Sequence, residues 1–164
     1  MILYHGSFKE IKTPDLIHSR DDVDFGKGFY TTPFREQAIS WSSRFKKQEK
    51  DSVVSVYVTD EVLWKNLKVK RFDSYSEQWL DFVTSCRKKR DNTDFDIVIG
   101  GVANDRVFNT IELFYSNLIE KEVAIERLRY EKPNLQVCFR TAKALECLRF
   151  KESFCLYGGD EPLP

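Results

Sequence analysis

The stretch Asp24-Phe25-Gly26-Lys27-Gly28-Phe29-Tyr30-Thr31-Thr32 decides how this chain is read. Two glycines flank one lysine, which suits a sharp bend or the close approach of a ligand to the backbone. The aromatic and threonine residues that follow favour an extended strand. The sequence therefore predicts a loop that delivers Tyr30 onto the start of a strand. Upstream, Ile2-Leu3-Tyr4-His5-Gly6-Ser7 predicts another strand, with His5 at its end and Gly6 freeing the backbone beside it. Two strand ends, each carrying an aromatic ring and a nearby glycine, are expected to line one cleft.

Taken together, L-Y-H-G-S and F-G-K-G-F-Y followed by a helical pattern resemble the NAD-binding core of ADP-ribosyltransferases of the poly(ADP-ribose) polymerase and diphtheria-toxin type. The close resemblance covers roughly the first quarter of the chain. It implies an α+β fold: a split β-sheet core with flanking helices around an NAD cleft, one domain over residues 1–164. It also implies roles for the motif residues. His5 bonds a hydroxyl of the adenosine ribose, and the Gly6 backbone holds the nicotinamide amide. Tyr30 stacks on the pyridinium ring, where an aromatic face attracts the cation. Ser7 and Gly28, within the same motifs, join the implied NAD contacts. In the resembled family the segment between the motifs reaches toward the adenosine half of NAD, which makes Ser19 and Arg20 candidate contacts for ribose or pyrophosphate. Arginine presents a fixed, permanently charged fork of donors to a phosphate. An ordinary surface arginine beside Asp21 and Asp22 explains Arg20 equally well.

The third catalytic position of that family is usually a glutamate on a late strand. Here Asn134-Leu135-Gln136-Val137-Cys138-Phe139 mirrors its N-x-E followed by alternating apolar residues, so Gln136 takes the place. A neutral glutamine orients a ribose hydroxyl but supplies no negative charge. Single transfer to a target, or an inactive binder, is expected in preference to chain elongation. Glu112 and Glu126 are alternative carboxylates, both on predicted helices with ordinary solvent-facing explanations. Trp41 falls where the transferases place a second aromatic against nicotinamide, although helical spacing also makes it a core residue. Ala38 stands where many relatives carry a serine. Asn104 and Asp105, after a strand and a glycine pair, either cap a helix or lie beside a ligand.

Periodicity places the remaining elements. A helix is predicted over residues 33–47, with Phe34, Ala38, Trp41 and Phe45 on one face and Pro33 at its first position. Ser52 to Thr59 is the clearest strand and is expected to be central. Further strands are predicted over 65–72, 96–101, 135–140 and 148–157, and helices over 74–87, 107–114, 120–130 and from Thr141. The basic run Arg87-Lys88-Lys89-Arg90 reads as a solvated helix end, with a nucleic-acid phosphate as the alternative partner.

A chain of 164 residues falls within the usual single-domain range of roughly 100 to 200. Apolar residues at 41% argue against compositional disorder. The balance of 26 cationic and 26 anionic side chains gives no global attraction to nucleic acid or anionic membrane. Cys86, Cys138, Cys147 and Cys155 show no metal-ligand spacing, so no metal is expected and reduced thiols are. Without a basic leader or a long apolar run, a cytoplasmic protein away from the membrane is expected.

The leading expectation is an NAD-dependent mono-ADP-ribosyltransferase in the style of a bacterial toxin or conflict-system effector. NAD would be co-substrate, an unidentified protein or nucleic acid the acceptor, and an antitoxin protein an expected partner. The alternatives are a non-catalytic module of the same fold that binds NAD, ADP-ribose or a protein, and an NAD glycohydrolase.

Overall fold

The computed structural model describes residues 1–103, 105–128 and 134–156, with backbone alone at Asp105 and Phe108. In chain order the elements are β1 (Ile2–Ser7), β2 (Phe29–Thr31), α1 (Arg35–Ser43), β3 (Val53–Val58), β4 (Val69–Arg71), α2 (Glu77–Arg87), β5 (Ile97–Gly100), α3 (Asp105–Tyr115), α4 (Lys121–Leu128), β6 (Gln136–Phe139), α5 (Ala142–Leu145) and β7 (Arg149–Cys155). Short 3-10 turns close at Lys46–Gln48 and Glu61–Asn66.

The strands form two sheets, which makes the fold α+β. One is antiparallel in the order β1-β3-β7, and the β-branched run of β3 does lie at its centre. The other runs β2-β6-β5-β4, antiparallel except for the β4–β5 pair.

Alternation along the second sheet sorts its side chains onto two faces. Phe29, Ile97, Ile99, Val137 and Phe139 pack with Leu3 and Tyr57 of the first sheet. Val98 and Cys138 face the other way, against Trp79, Leu80 and Val83 of α2, Val107 and Ile111 of α3, and Ala124 and Leu128 of α4. Tyr30 packs on this helical side. The four-stranded sheet thus separates two core clusters, and Ala38, Ile39, Val54 and Leu156 form a third where α1 meets the first sheet.

Local chemistry explains the element boundaries. Ser76 caps α2 by accepting from Trp79 N–H, and Thr141 caps α5 by accepting from Ala144 N–H. The helix predicted over 33–47 is shorter. Pro33 lies outside it, Phe34 flanks it at 45% exposure, and the buried face is Ala38, Ile39 and Ser42. The strand predicted over 65–72 shrinks to three residues because Asp60 caps the preceding 3-10 turn at Val62 N–H. Asn104, Tyr130, Pro133, Tyr157 and the glycine-proline tail lie outside the described residues. Among the described residues no helix is long and apolar enough to cross a membrane.

Candidate functional site

β1 and β2 are each the edge strand of their sheet, and the two edges meet at one bridge. Tyr4 N–H donates to the Thr32 carbonyl at 2.8 Å, and Thr32 N–H donates to the Tyr4 carbonyl at 2.9 Å. A continued antiparallel ladder would next pair Gly6 with Tyr30. The ladder stops there instead, because the His5 ring takes the Tyr30 carbonyl: Nδ1 lies 2.6 Å from it. Backbone N–H and C=O groups of alternate residues point to the same side of a strand. Those of Gly6 therefore point to the same edge as those of Tyr4, beyond the last bridge.

The carbonyl can only accept, so Nδ1 carries the proton and Nε2 is left as an acceptor. Burial pushes the His5 pKa below its ordinary value, opposed by the bond to the carbonyl, and this keeps the ring neutral. The ring stacks on Phe29, centroids 4.3 Å apart and planes inclined at 24°. His5 thus meets Tyr30 through the latter's backbone. The phenol ring turns to the opposite face of the sheet, so the imidazole and phenol do not face each other directly.

The Tyr30 hydroxyl donates to the Gly26 carbonyl at 2.7 Å and accepts from Phe25 N–H at 2.9 Å. Its ring packs beside Phe25. Burial above all holds the phenol neutral, pushing its pKa well above the ordinary range, with the Asp24 charge contributing in the same direction. The double-glycine bend owes its composition to the protein itself. Gly26 adopts φ +70°, and a Cβ on Gly28 would overlap Cys138 Sγ and lie 2.9 Å from the Phe139 carbonyl oxygen. Lys27 alone in the run from Asp24 to Phe29 is exposed.

Gly6 is also a point of close packing. A Cβ there would overlap the Ala38 carbonyl oxygen and lie 2.8 Å from Ser42 N and 3.1 Å from Trp41 Cβ. The missing side chain lets α1 lie directly on β1, which brings half-buried Trp41 beside Gly6. Ala38 is fully buried with Ile39, Val54 and Leu156. Ser7 is buried at the end of β1.

Gln136 opens β6, one position past the Thr31–Val137 pair, on the same sheet face as Tyr30. Such diagonal positions on neighbouring strands lie about 7–8 Å apart. The glutamine is buried, and its Nε2 donates to Asp24 Oδ2 at 2.9 Å and to the Gly101 carbonyl at 3.3 Å.

Asp24 is the residue that the sequence analysis passed over. It is buried, and its Oδ1 accepts from Arg87 Nε at 3.1 Å and Nη2 at 2.5 Å. Its Oδ2 accepts from Ala103 N–H at 2.8 Å as well as from Gln136. The signal available in sequence was its place directly before the bend. The basic run is correspondingly reassigned: Arg87 turns inward to Asp24, Lys88 sits 3.7 Å from the Tyr115 ring centroid, and Lys89 pairs with Asp21 at 2.9 Å. A solvated face is the wrong description for Arg87, because its partner carboxylate is buried under α2.

Ser19 and Arg20 find partners in their own loop. Ser19 Oγ donates to the Leu16 carbonyl at 3.0 Å, and Arg20, with its side chain 74% exposed, pairs with Asp22 at 3.2 Å. Glu112 and Glu126 are exposed on α3 and α4. Asn104 and the Asp105 side chain lie outside the described residues. Among the described residues no group of three or more His, Cys, Asp or Glu is arranged to hold a metal ion.

Comparison with known proteins adds the family. No curated protein and no solved structure matches the chain. The model of the family described as "Protein of unknown function (DUF3990)" matches residues 1–150, a span that contains His5, Asp24, Tyr30, Arg87 and Gln136. The chain therefore belongs to the DUF3990 family.

Proposed function

We propose that this protein is an NAD-dependent mono-ADP-ribosyltransferase that transfers one ADP-ribose unit to a macromolecular acceptor and releases nicotinamide. The observation that carries the reading is the opening of the β1–β2 ladder at His5. It leaves the Gly6 backbone amide at the joined sheet edges, beside a neutral imidazole whose Nε2 is an acceptor. A carboxamide needs one donor and one acceptor side by side, which one extended glycine supplies. A ribose hydroxyl suits the remaining imidazole nitrogen.

In the reaction the bond between C1′ of the ribose and nicotinamide nitrogen breaks, and its electron pair leaves with neutral nicotinamide. The acceptor nucleophile bonds to C1′ and releases its proton to solvent. Positive charge develops on the ribose in the transition state, so the protein's task is to hold the dinucleotide and stabilise that charge. His5 and Gly6 anchor the two ends, Trp41 lies beside Gly6, and Tyr30 and Gln136 stand on the adjoining strands, on the sheet face opposite Phe29. The acceptor class, an intracellular toxin role and an antitoxin partner belong to the same proposal. So does a location in the cytoplasm, where NAD is supplied.

A second reading has one observation in its favour. The Gln136 nitrogen is already engaged by Asp24, so no mobile carboxylate stands at the third position, as expected of a module that binds NAD without cleaving it. Purified protein incubated with NAD labelled in its adenylate phosphates, with and without cell lysate, separates the readings. Labelled macromolecule plus free nicotinamide, both lost in His5→Ala, supports transfer. Free ADP-ribose without labelled macromolecule identifies a glycohydrolase. NAD binding without nicotinamide release refutes both enzyme readings.

A further inference from the structure

The segment Asp24 to Gly26 touches both Tyr30 and Gln136. Phe25 N–H and the Gly26 carbonyl hold the Tyr30 hydroxyl, while the Asp24 carboxylate holds the Gln136 amide nitrogen. Both neighbours of that nitrogen, Asp24 Oδ2 and the Gly101 carbonyl, are acceptors, so the amide orientation is dictated: nitrogen toward Asp24 and Gly101, oxygen away from them. Gln136 is buried, and its Oε1 accepts no hydrogen bond from a described residue.

We propose that Asp24 is the positioning residue of the site. It locks Gln136 so that Oε1 is the acceptor offered to the nicotinamide ribose, and the Asp24–Gln136 pair replaces a single glutamate. The inference rests on the ADP-ribosyl transfer reading. Arg87 neutralises the Asp24 charge at longer range, so what reaches the ribose is an oriented amide, polarised by the carboxylate on its N–H side. The pairing also explains why glutamine stands at 136. A glutamate there would bring a second carboxylate against Asp24 Oδ2 and the Gly101 carbonyl, and like charges so close do not both ionise.

The experiment compares wild type, Asp24→Asn, Gln136→Glu and the exchange Asp24→Asn/Gln136→Glu, each checked for folding by circular dichroism. Nicotinamide release is followed from pH 5 to 9, and the Gln136 side-chain amide protons are followed by NMR. Asp24→Asn is expected to lower kcat by about 10- to 100-fold, with a much smaller change in KM for NAD. It should also shift the Gln136 amide resonances. Gln136→Glu alone should be poor near neutral pH and gain activity as pH rises and the introduced carboxyl group ionises. The exchange, with one carboxylate again in the pair, should regain activity and do so at lower pH than Gln136→Glu. Should Asp24→Asn and the exchange that contains it fail to fold, Gln136→Glu still decides: full activity near neutral pH, with the pH profile of wild type, overturns the positioning role. Unchanged kcat in folded Asp24→Asn, or identical pH profiles for Gln136→Glu and the exchange, overturns the positioning role while the transferase reading stands. A wild type that neither binds NAD nor releases nicotinamide overturns both.

Discussion

Substituting Gly6 by alanine tests the close approach on which the candidate site is built. The new Cβ would overlap the Ala38 carbonyl oxygen and press on Ser42 N and Trp41 Cβ, the first two being backbone atoms of α1. Rotamer changes cannot relieve a clash with helix backbone, so α1 must lift from β1 by about 1 Å, loosening the packing of Ala38 and Ile39. Overpacking of this kind costs about 2 to 3 kcal/mol, offset by about 0.4 to 1 kcal/mol from the stiffer unfolded chain. The net loss of about 1 to 2.5 kcal/mol corresponds to a fall in Tm of about 2 to 10 °C for a domain of this size. Thermal melting and urea unfolding of Gly6→Ala measure it. Gly26→Asn is the matched control: its φ of +70° is tolerated by asparagine, and no atom comes nearer than 3.7 Å to its Cβ. It should lose less stability than Gly6→Ala, since it adds αL strain but no backbone overlap. A Gly6→Ala protein within 1 °C of wild type, or one less affected than Gly26→Asn, would refute the reasoning.

Three further outcomes are expected. The burial-lowered pKa of His5 means that the unfolded chain binds more protons than the folded one below the ordinary value of 6.5. The stability tied to the neutral ring is therefore complete above pH 6.5 and lost as pH falls, and His5→Gln should flatten that slope in urea titrations from pH 5 to 7.5. Tyr30→Phe keeps the ring but strands Phe25 N–H and the Gly26 carbonyl, and should cost about 1 to 3 kcal/mol in chemical unfolding. Burial pushes the Cys86 and Cys138 thiols up to about 12, so a disulfide reagent at pH 8 should label exposed Cys155 quickly and these two only on unfolding. Fast labelling of either in native protein would contradict the packing of the double-glycine bend.

Much of the fold was legible because strand and helix signals are local. The boundaries of β1, read from Leu3, Tyr4 and the His5-Gly6 pair, coincide with the prediction. The β-branched run of β3 marked the central strand of its sheet, and Thr141 announced the cap of α5. The α1 face was less legible. Counting apolar residues at helical spacing selected Phe34, which is exposed, and missed Ser42, buried because Ser52 Oγ donates to it at 2.9 Å. A satisfied polar group hides from a hydrophobic pattern.

Local residue preferences were enough by themselves to place His5, Gly6, Tyr30 and Gln136 on strands, since those preferences act over a few residues of chain. They did not fix the positions within the strands: β1 runs past His5 to Ser7, and Tyr30 is the middle residue of β2. Only the tertiary structure decided how these residues meet. The imidazole reaches a carbonyl 25 residues away, Asp24 pairs with an arginine 63 residues on, and the same aspartate holds a glutamine 112 residues on. No local propensity encodes a hydrogen bond across such separations. It arises when two sheet edges and a helix pack together, and a buried carboxylate must then find donors wherever the fold has brought them.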